Sequence, residues 1–81
     1  MSTISTEVRI RITFANGLGI STSAFLDWTV QDVALLVARV TDKMDAFPSL
    51  ALNGVVLDRS LTLAQLGTLD GDGFEYVGGV R

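Results

Sequence analysis

The sequence contains no cysteine and no histidine, and these two absences exclude most of the chemistry that small domains perform. Without these residues the chain has no imidazole base, no Ser-His or Cys-His nucleophile pair, no disulfide and no Cys/His zinc site. We therefore expect a protein that is not an enzyme and that needs neither a metal ion nor a cofactor.

Positive charge is also scarce, with six basic residues against nine acidic ones, a net charge of −3 and an isoelectric point near 4.5. This balance has the wrong sign for a nucleic-acid binder. No apolar run approaches the roughly 18 residues of a transmembrane helix, and the N-terminus lacks the basic and apolar regions of a secretory signal. We expect a soluble cytoplasmic protein with no nucleic-acid partner and no membrane insertion.

Apolar side chains, by contrast, are abundant: they make up 48% of the 81 residues, and the mean hydropathy is +0.44. A chain of this composition is too hydrophobic for a disordered segment and supplies enough material for one small core. The sequence has no internal repeat and no linker-like stretch. We expect one domain over residues 8–81, preceded by a flexible segment over residues 1–7.

The first half of the chain carries the clearest local signals. Residues 7–15 alternate strictly between polar and apolar side chains, which predicts a half-buried strand. Asn16-Gly17 then predicts a hairpin to a second strand over residues 18–26. Thr29 and Asp32 have the spacing of a helix N-cap, so a helix is expected from Val30 to Met44. Its core-facing side chains would be Val30, Val33, Val37, Val40 and Met44.

The second half predicts shorter elements. Two apolar segments, residues 50–52 and 55–57, flank Asn53-Gly54 and are typical of a hairpin. A single helical turn is expected after Ser60, a tight turn at Asp70-Gly-Asp72, and a last strand over residues 74–80. One long helix packed across one face of a sheet is the economical arrangement, an α+β fold.

These features resemble ubiquitin and its β-grasp relatives. The resemblance lies in the order of the elements, in the Thr29-Val30-x-x-Val33 start of the helix, and in the run Leu50-x-Leu52-Asn-Gly54-x-x-Leu57-x-x-x-x-Thr62-Leu63-x-x-Leu66. It implies a four- to five-stranded mixed sheet with one helix across one face, in the order β-β-α-β-β-3/10-β. Ubiquitin-like folds host modifiers, sulfur carriers, secretion accessory proteins and domains of larger proteins, so the resemblance leaves the function open.

The diglycine Gly78-Gly79 bears on the modifier hypothesis. In the families that conjugate or carry sulfur, a C-terminal diglycine stands on a flexible tail beyond the last strand. Here residues 73–77 alone separate the Asp70-Gly-Asp72 turn from the diglycine, roughly 17 Å of extended chain. We therefore expect Gly78 and Gly79 to lie within the last strand, as a bulge or its fraying end. The alternative is a modifier or sulfur-carrier precursor that matures at Gly79.

The apolar surplus favours an interaction function, because the predicted core has no obvious place for Leu18, Phe25, Trp28, Leu35, Val55 and Val77. Trp28 is expected either to pack at the end of the helix or to serve as an exposed anchor. Our first hypothesis is a non-catalytic adaptor or assembly module that binds another protein. Its contact residues would be Arg9, Arg11, Ala51, Val55 and Val77 on the outer sheet face, together with Leu35 on the helix.

Two further hypotheses concern the setting of such a module. The small accessory proteins of bacterial type VII secretion are similar in size, in an Asp-Gly-Asp turn before the last strand, and in lacking a usable diglycine tail. The other hypothesis is that the chain is a non-catalytic subunit of a larger enzyme complex. The sequence leaves the identity of the partner and the oligomeric state open.

Overall fold

A computed structural model of the chain describes residues 6–42 and 48–78. Its elements are β1 (Glu7–Thr13), β2 (Gly19–Phe25), α1 (Val30–Val40), β3 (Ser49–Leu52), β4 (Val55–Val56) and β5 (Gly73–Val77). The strands form one sheet in the order β2-β1-β5-β3-β4. β1 and β5 run parallel, and the other neighbouring pairs run antiparallel. The mixed sheet with one helix is therefore confirmed.

The alternation along β1 divides the molecule into two faces. Val8, Ile10 and Ile12 are buried, whereas the intervening side chains from Glu7 to Arg11 are exposed. We call the face that α1 covers the inner face and the opposite one the outer face. Burial of each large aliphatic side chain contributes roughly 1.5–3 kcal/mol. The core between sheet and helix contains Val8, Ile10, Ile12, Ala24, Val30, Val33, Ala34, Val37, Leu50, Leu63 and Phe74.

The start of α1 is the predicted one. Oγ1 of Thr29 accepts a hydrogen bond from the Asp32 amide at 3.1 Å, and Oδ2 of Asp32 accepts one from the Thr29 amide at 3.0 Å. This reciprocal pair satisfies two backbone donors that would otherwise lack partners, and it places a negative charge at the positive end of the helix dipole.

The end of α1 differs from the prediction, because the helix stops at Val40 instead of continuing to Met44. The Thr41 hydroxyl donates to the Val37 carbonyl at 2.7 Å, and Asp42 adopts a left-handed conformation with φ of 58°, which a helix cannot continue through. Met44 lies outside the described residues.

Val40 was assigned to the core face and is instead 66% exposed. The reason is that Ala34 and Ala38 are buried, which turns the covered sector of the helix toward them and leaves Val40 at its border. The positions of the valines alone predict a core-facing sector of α1 that is centred too close to Val40.

The end of β5 also differs from the prediction. Its last pair joins Val77 to Ser49, the first residue of β3. Ser49 and Val77 are thus the terminal residues of this pairing, and the register of the two strands ends there. Gly78 consequently follows the strand instead of lying within it. Gly79 and the rest of the expected strand lie outside the described residues.

Two smaller segments are the residues at the start of β1 and the turn near Leu63. Within the segment expected to be flexible, Glu7 is the first residue of β1, and the Thr6 carbonyl accepts from the Leu26 amide at 2.9 Å. The turn expected as 3/10 is a hydrogen-bonded turn in which the Leu66 amide donates to the Leu63 carbonyl at 3.2 Å. Residues 1–5 lie outside the described part of the chain.

Candidate interaction surfaces

The acidic side chains of the turns serve the backbone. Oδ1 of Asp70 accepts from the Arg9 amide at 2.7 Å, and Oδ2 of Asp72 accepts from the Leu69 amide at 2.8 Å. Hydrogen bonds from the Ser60 amide and then from its hydroxyl lower the pKa of the Asp58 carboxyl. Within residues 6–42 and 48–78, no three His, Cys, Asp or Glu side chains are grouped so that they would hold a metal ion.

Over the described residues, α1 is the helix of the fold, and no helix there has the length and apolar character needed to cross a bilayer.

Arg9 and Arg11 lie side by side along β1 on the outer face, and we call this pair the arginine strip. Both are exposed, and their neighbours on β2 are Ser23 and Ser21. On the other side Arg11 is paired with Gly73 of β5. None of these neighbours has a large side chain, and the Arg11 guanidinium lies over Gly19 of β2.

Ala51 is on the outer face as predicted but is only 4% exposed, so it offers almost no contact area. It is paired with Glu75 of β5 on one side and with Val56 of β4 on the other, and both neighbours shield its methyl group. Beside it a depression of about 230 Å³ opens on the outer face, and we call it the outer depression. Its lining residues are Thr13, Ala51, Leu52, Asn53, Gly73, Phe74 and Glu75.

Val55 is exposed, but it is not on the outer face where the prediction placed it. It pairs with Leu52, which lies two residues beyond the core residue Leu50 and therefore shares the inner face. The next residue, Val56, is the one that faces outward, and it is 59% exposed. Sequence reasoning missed Val56, although counting outward from a two-residue turn at Asn53-Gly54 would have assigned it.

Leu35 is 43% exposed, which agrees with its expected position at the surface of the helix. Because α1 covers the inner face, Leu35 and the arginine strip lie on opposite sides of the sheet. Val77 is partly buried on the outer face, where it pairs with Ser49. The six predicted contact residues thus do not form one surface: Arg9, Arg11, Ala51 and Val77 share the outer face, while Val55 and Leu35 do not.

The other apolar side chains that had no place in the predicted core are distributed around the molecule. Leu18 is 67% exposed at the β1–β2 turn, next to a cavity of about 330 Å³ that Phe14 and Ile20 help to line. Trp28 is partly buried against the core, and its ring packs on that of Phe25 with centroids 5.6 Å apart. This contact favours the packing interpretation of Trp28 over the anchor.

Known structures resemble this arrangement closely. The ubiquitin-like domain of Dsk2 from Plasmodium falciparum has a TM-score of 0.76 at 18% identity, over 91% of this chain and 100% of that one. Ubiquitin of Caldiarchaeum subterraneum has a TM-score of 0.74 at 25% identity, over 94% and 98% of the two chains. A computationally designed protein based on human erythrocytic ubiquitin has a TM-score of 0.72 at 29% identity, over 91% and 94%. No protein-family model and no curated protein matches the chain. The structural likenesses confirm the resemblance to ubiquitin-like proteins seen in the sequence, and the chain has the ubiquitin-like β-grasp fold.

Proposed function

We propose that this protein is a non-catalytic module that binds another protein through the outer face of its sheet. The observation that carries the proposal is the outer depression, which opens on the face that α1 leaves uncovered. Ubiquitin-like folds present their sheet on a rigid scaffold, so a partner meets a preformed surface and little ordering entropy opposes binding.

The shape of the depression follows from two small residues. Gly73 has no side chain and Ala51 has a single methyl group, so the sheet surface is low between Glu75 and the β3–β4 turn. A single side chain of a partner fits here, and Glu75 supplies a negative charge at the rim.

The volume distinguishes a protein contact from a small-molecule site. Ligand pockets usually enclose about 300–1,000 Å³ and bury most of their ligand. The outer depression is smaller, at about 230 Å³, and it is open to solvent. It therefore suits one anchoring side chain within a larger interface better than a free ligand.

The proposal is tested with a variant whose larger side chain would fill the outer depression. In Gly73→Val the new Cβ would meet nothing closer than the Arg11 carbonyl oxygen at 3.7 Å, so the backbone accepts it without strain. Ser21→Val is the matched control, because Ser21 is an exposed outer-face residue on β2, away from the depression. Proteins captured by tagged wild type from the native cell extract would be identified and their binding measured by calorimetry. We expect at least a tenfold loss for Gly73→Val, about 1.4 kcal/mol, and little change for Ser21→Val.

The opposite pattern would contradict this proposal. If folded Gly73→Val binds the captured partner like wild type while Leu35→Asp does not, the contact lies on the helix. Circular dichroism and the unfolding midpoint of each variant establish that a lost interaction is not a lost fold. Capture of a secretion apparatus or of a multisubunit enzyme would decide between the two settings proposed for such a module.

A second candidate function is a modifier or sulfur-carrier precursor that matures at Gly79, and one observation favours keeping it. Gly78 follows β5 and is not paired within it. Only Gly78 and Gly79 would then extend beyond Val77, a reach of about 7 Å, which keeps the carboxylate close to the sheet. A chain ending at Gly79 would be mixed with an adenylating enzyme and ATP and analysed by mass spectrometry. We expect no adenylate or thioester; either product would replace the adaptor proposal.

A further inference from the structure

Strand β2 forms one edge of the sheet and lacks the features that usually protect an edge. Its seven residues, Gly19–Phe25, include no charged side chain and no proline, the commonest protecting devices. The other edge strand, β4, is only two residues long, which itself limits pairing. In the part of the chain that the structure describes, β2 has β1 on one side and no strand on the other.

The hydrogen bonds of the hairpin show which backbone groups of β2 point outward. The Leu26 amide donates to the Thr6 carbonyl at 2.9 Å, and the Phe14 amide donates to the Leu18 carbonyl at 2.7 Å. Residues of an antiparallel strand bond alternately to its two sides, so even-numbered residues of β2 bond to β1. The amides and carbonyls of Ser21 and Ser23 consequently point away from the sheet.

We propose that β2 pairs antiparallel with β2 of a second copy of this chain, about a two-fold axis at Thr22. In this register Ser21 of each copy faces Ser23 of the other, and their outward backbone groups exchange hydrogen bonds. The pairing ends at Phe25, which is the last residue of β2. A two-fold axis makes the contact self-complementary and closed.

The sequence of β2 fits this register on both faces. Ile20 would face Ala24 of the second copy on the inner face, and Gly19 would face Phe25 of the second copy on the outer face. A large side chain therefore meets a small one at each of these positions, and hydroxyl residues meet each other at the centre. Phe25 is 37% exposed in the single chain, so the pairing covers part of an exposed ring.

Charge supports the same arrangement. The Arg11 guanidinium already lies over Gly19, where a Cβ would be 3.4 Å from its Nη2 atom. Phe25 of the second copy would come to this position, which suits a cation–π contact. Glu7 is the neighbour of Phe25 on β1, so Glu7 of the second copy lies two strand spacings from Gly19, about 10 Å. Both side chains are long enough to shorten that gap, and the two-fold axis repeats the pair.

The arginine strips of the two copies do not oppose the pairing. Arg11 of one copy and Arg9 of the other would be three strand spacings apart, about 14 Å. This separation exceeds the screening length of about 8 Å at physiological salt.

Sedimentation equilibrium and dilution of the isotope-labelled chain test the proposal. The interface is small, so we expect a monomer–dimer equilibrium with a dissociation constant on the order of 100 µM. Dilution from about 1 mM to about 10 µM should shift the amide resonances of Ser21 and Ser23 and deprotect them against hydrogen exchange. The Thr22 amide, which bonds to β1, should change little. A monomer at about 1 mM, or shifts confined to the β3–β4 hairpin, would overturn the proposal.

A charge exchange tests the register. One variant carries Ser21→Lys with Ser23→Lys, and the other carries Ser21→Glu with Ser23→Glu, so like charges face each other in each homodimer. We expect both variants to be folded monomers, and their equimolar mixture to form a heterodimer. Two folded variants that remain monomeric when mixed would refute the register. Gly73→Val should leave self-association unchanged, which separates this proposal from the one for the outer depression.

Discussion

The two β-hairpins of the sheet begin from the same dipeptide and become different structures. The β1–β2 hairpin turns at Asn16-Gly17 and pairs seven residues of each strand, from Glu7 with Phe25 to Thr13 with Gly19. The β3–β4 hairpin turns at Asn53-Gly54 and pairs two. Each hairpin supplies one edge of the sheet, so the contrast also explains why one edge is open to pairing and the other is not.

The two turns also differ in their backbone conformation. At Asn53-Gly54 both residues are left-handed, with φ of 54° and 82°, and the turn connects Leu52 directly to Val55. At Asn16-Gly17 only the glycine is left-handed, with φ of 89°. There the Asn16 side chain accepts from the Leu18 amide at 3.0 Å within a wider loop. The dipeptide predicts that a turn forms, and the pairing of the strands decides which turn it is.

The largest expected difference between the hairpins lies in what they bury. Ile12 in β1 is 0% exposed, so Ile12→Ala leaves a cavity and should lower the free energy of unfolding by about 2–5 kcal/mol. Val56 in β4 is 59% exposed, and Val56→Ala should change it by no more than about 0.5 kcal/mol. Urea unfolding measures both values. Equal losses would mean that the short hairpin contributes to the core as much as the long one.

The second expected difference concerns the two turn glycines. Gly17 and Gly54 both have positive φ, and an added Cβ would meet nothing within 4 Å at either, so alanine costs only backbone strain, about 1–2 kcal/mol. In Gly17→Ala this cost should lower the stability of the whole fold. In Gly54→Ala we expect mainly local opening, seen as faster hydrogen exchange of the Leu57 amide, which bonds to the Leu50 carbonyl. The reverse pattern would show that the short hairpin is required for global stability.

The sequence predicted the elements whose signals are local. The alternation of residues 7–13 and the reciprocal Thr29–Asp32 spacing need no distant partner, and both are confirmed. Asn53-Gly54 also located its hairpin, because left-handed residues are intrinsic to that turn. The resemblance to ubiquitin-like proteins rests on these same positions, which is why the fold was predicted correctly.

The predictions that were wrong concern properties that depend on other parts of the chain. Ala51 is buried because strands on both sides shield it, and β5 ends at Val77, where its pairing with β3 also ends. Val55 was assigned to the wrong face because its orientation follows from pairing with Leu52. The face on which a residue lies depends on such pairing with distant segments, so Val55 was misplaced even though the fold was predicted correctly.

The smallest expected effect is a pH dependence in the turn that follows the β3–β4 hairpin. Asp58 follows this hairpin, and its Oδ1 atom accepts from the Ser60 amide at 2.9 Å and from the Ser60 hydroxyl at 2.8 Å. Both bonds favour the carboxylate and lower its pKa, the amide being the larger cause. The corresponding acceptor in the β1–β2 hairpin is the Asn16 amide group, which does not titrate.

The sign of this effect follows from the direction of the shift. Because the pKa of Asp58 is lower in the folded state, its contribution to stability is complete above the ordinary aspartate pKa of about 4 and is lost as the pH falls through the folded-state pKa. Ser60→Ala removes the hydroxyl bond and keeps the amide bond, so we expect the pKa of Asp58 to rise only part of the way to its ordinary value. An NMR titration of the Asp58 carboxyl in wild type and in Ser60→Ala measures this, with Asn16→Ala as a control that should leave that pKa unchanged. If the pKa of Asp58 returned fully to its ordinary value in Ser60→Ala, the hydroxyl of Ser60, and not its backbone amide, would be the cause of the lowered pKa.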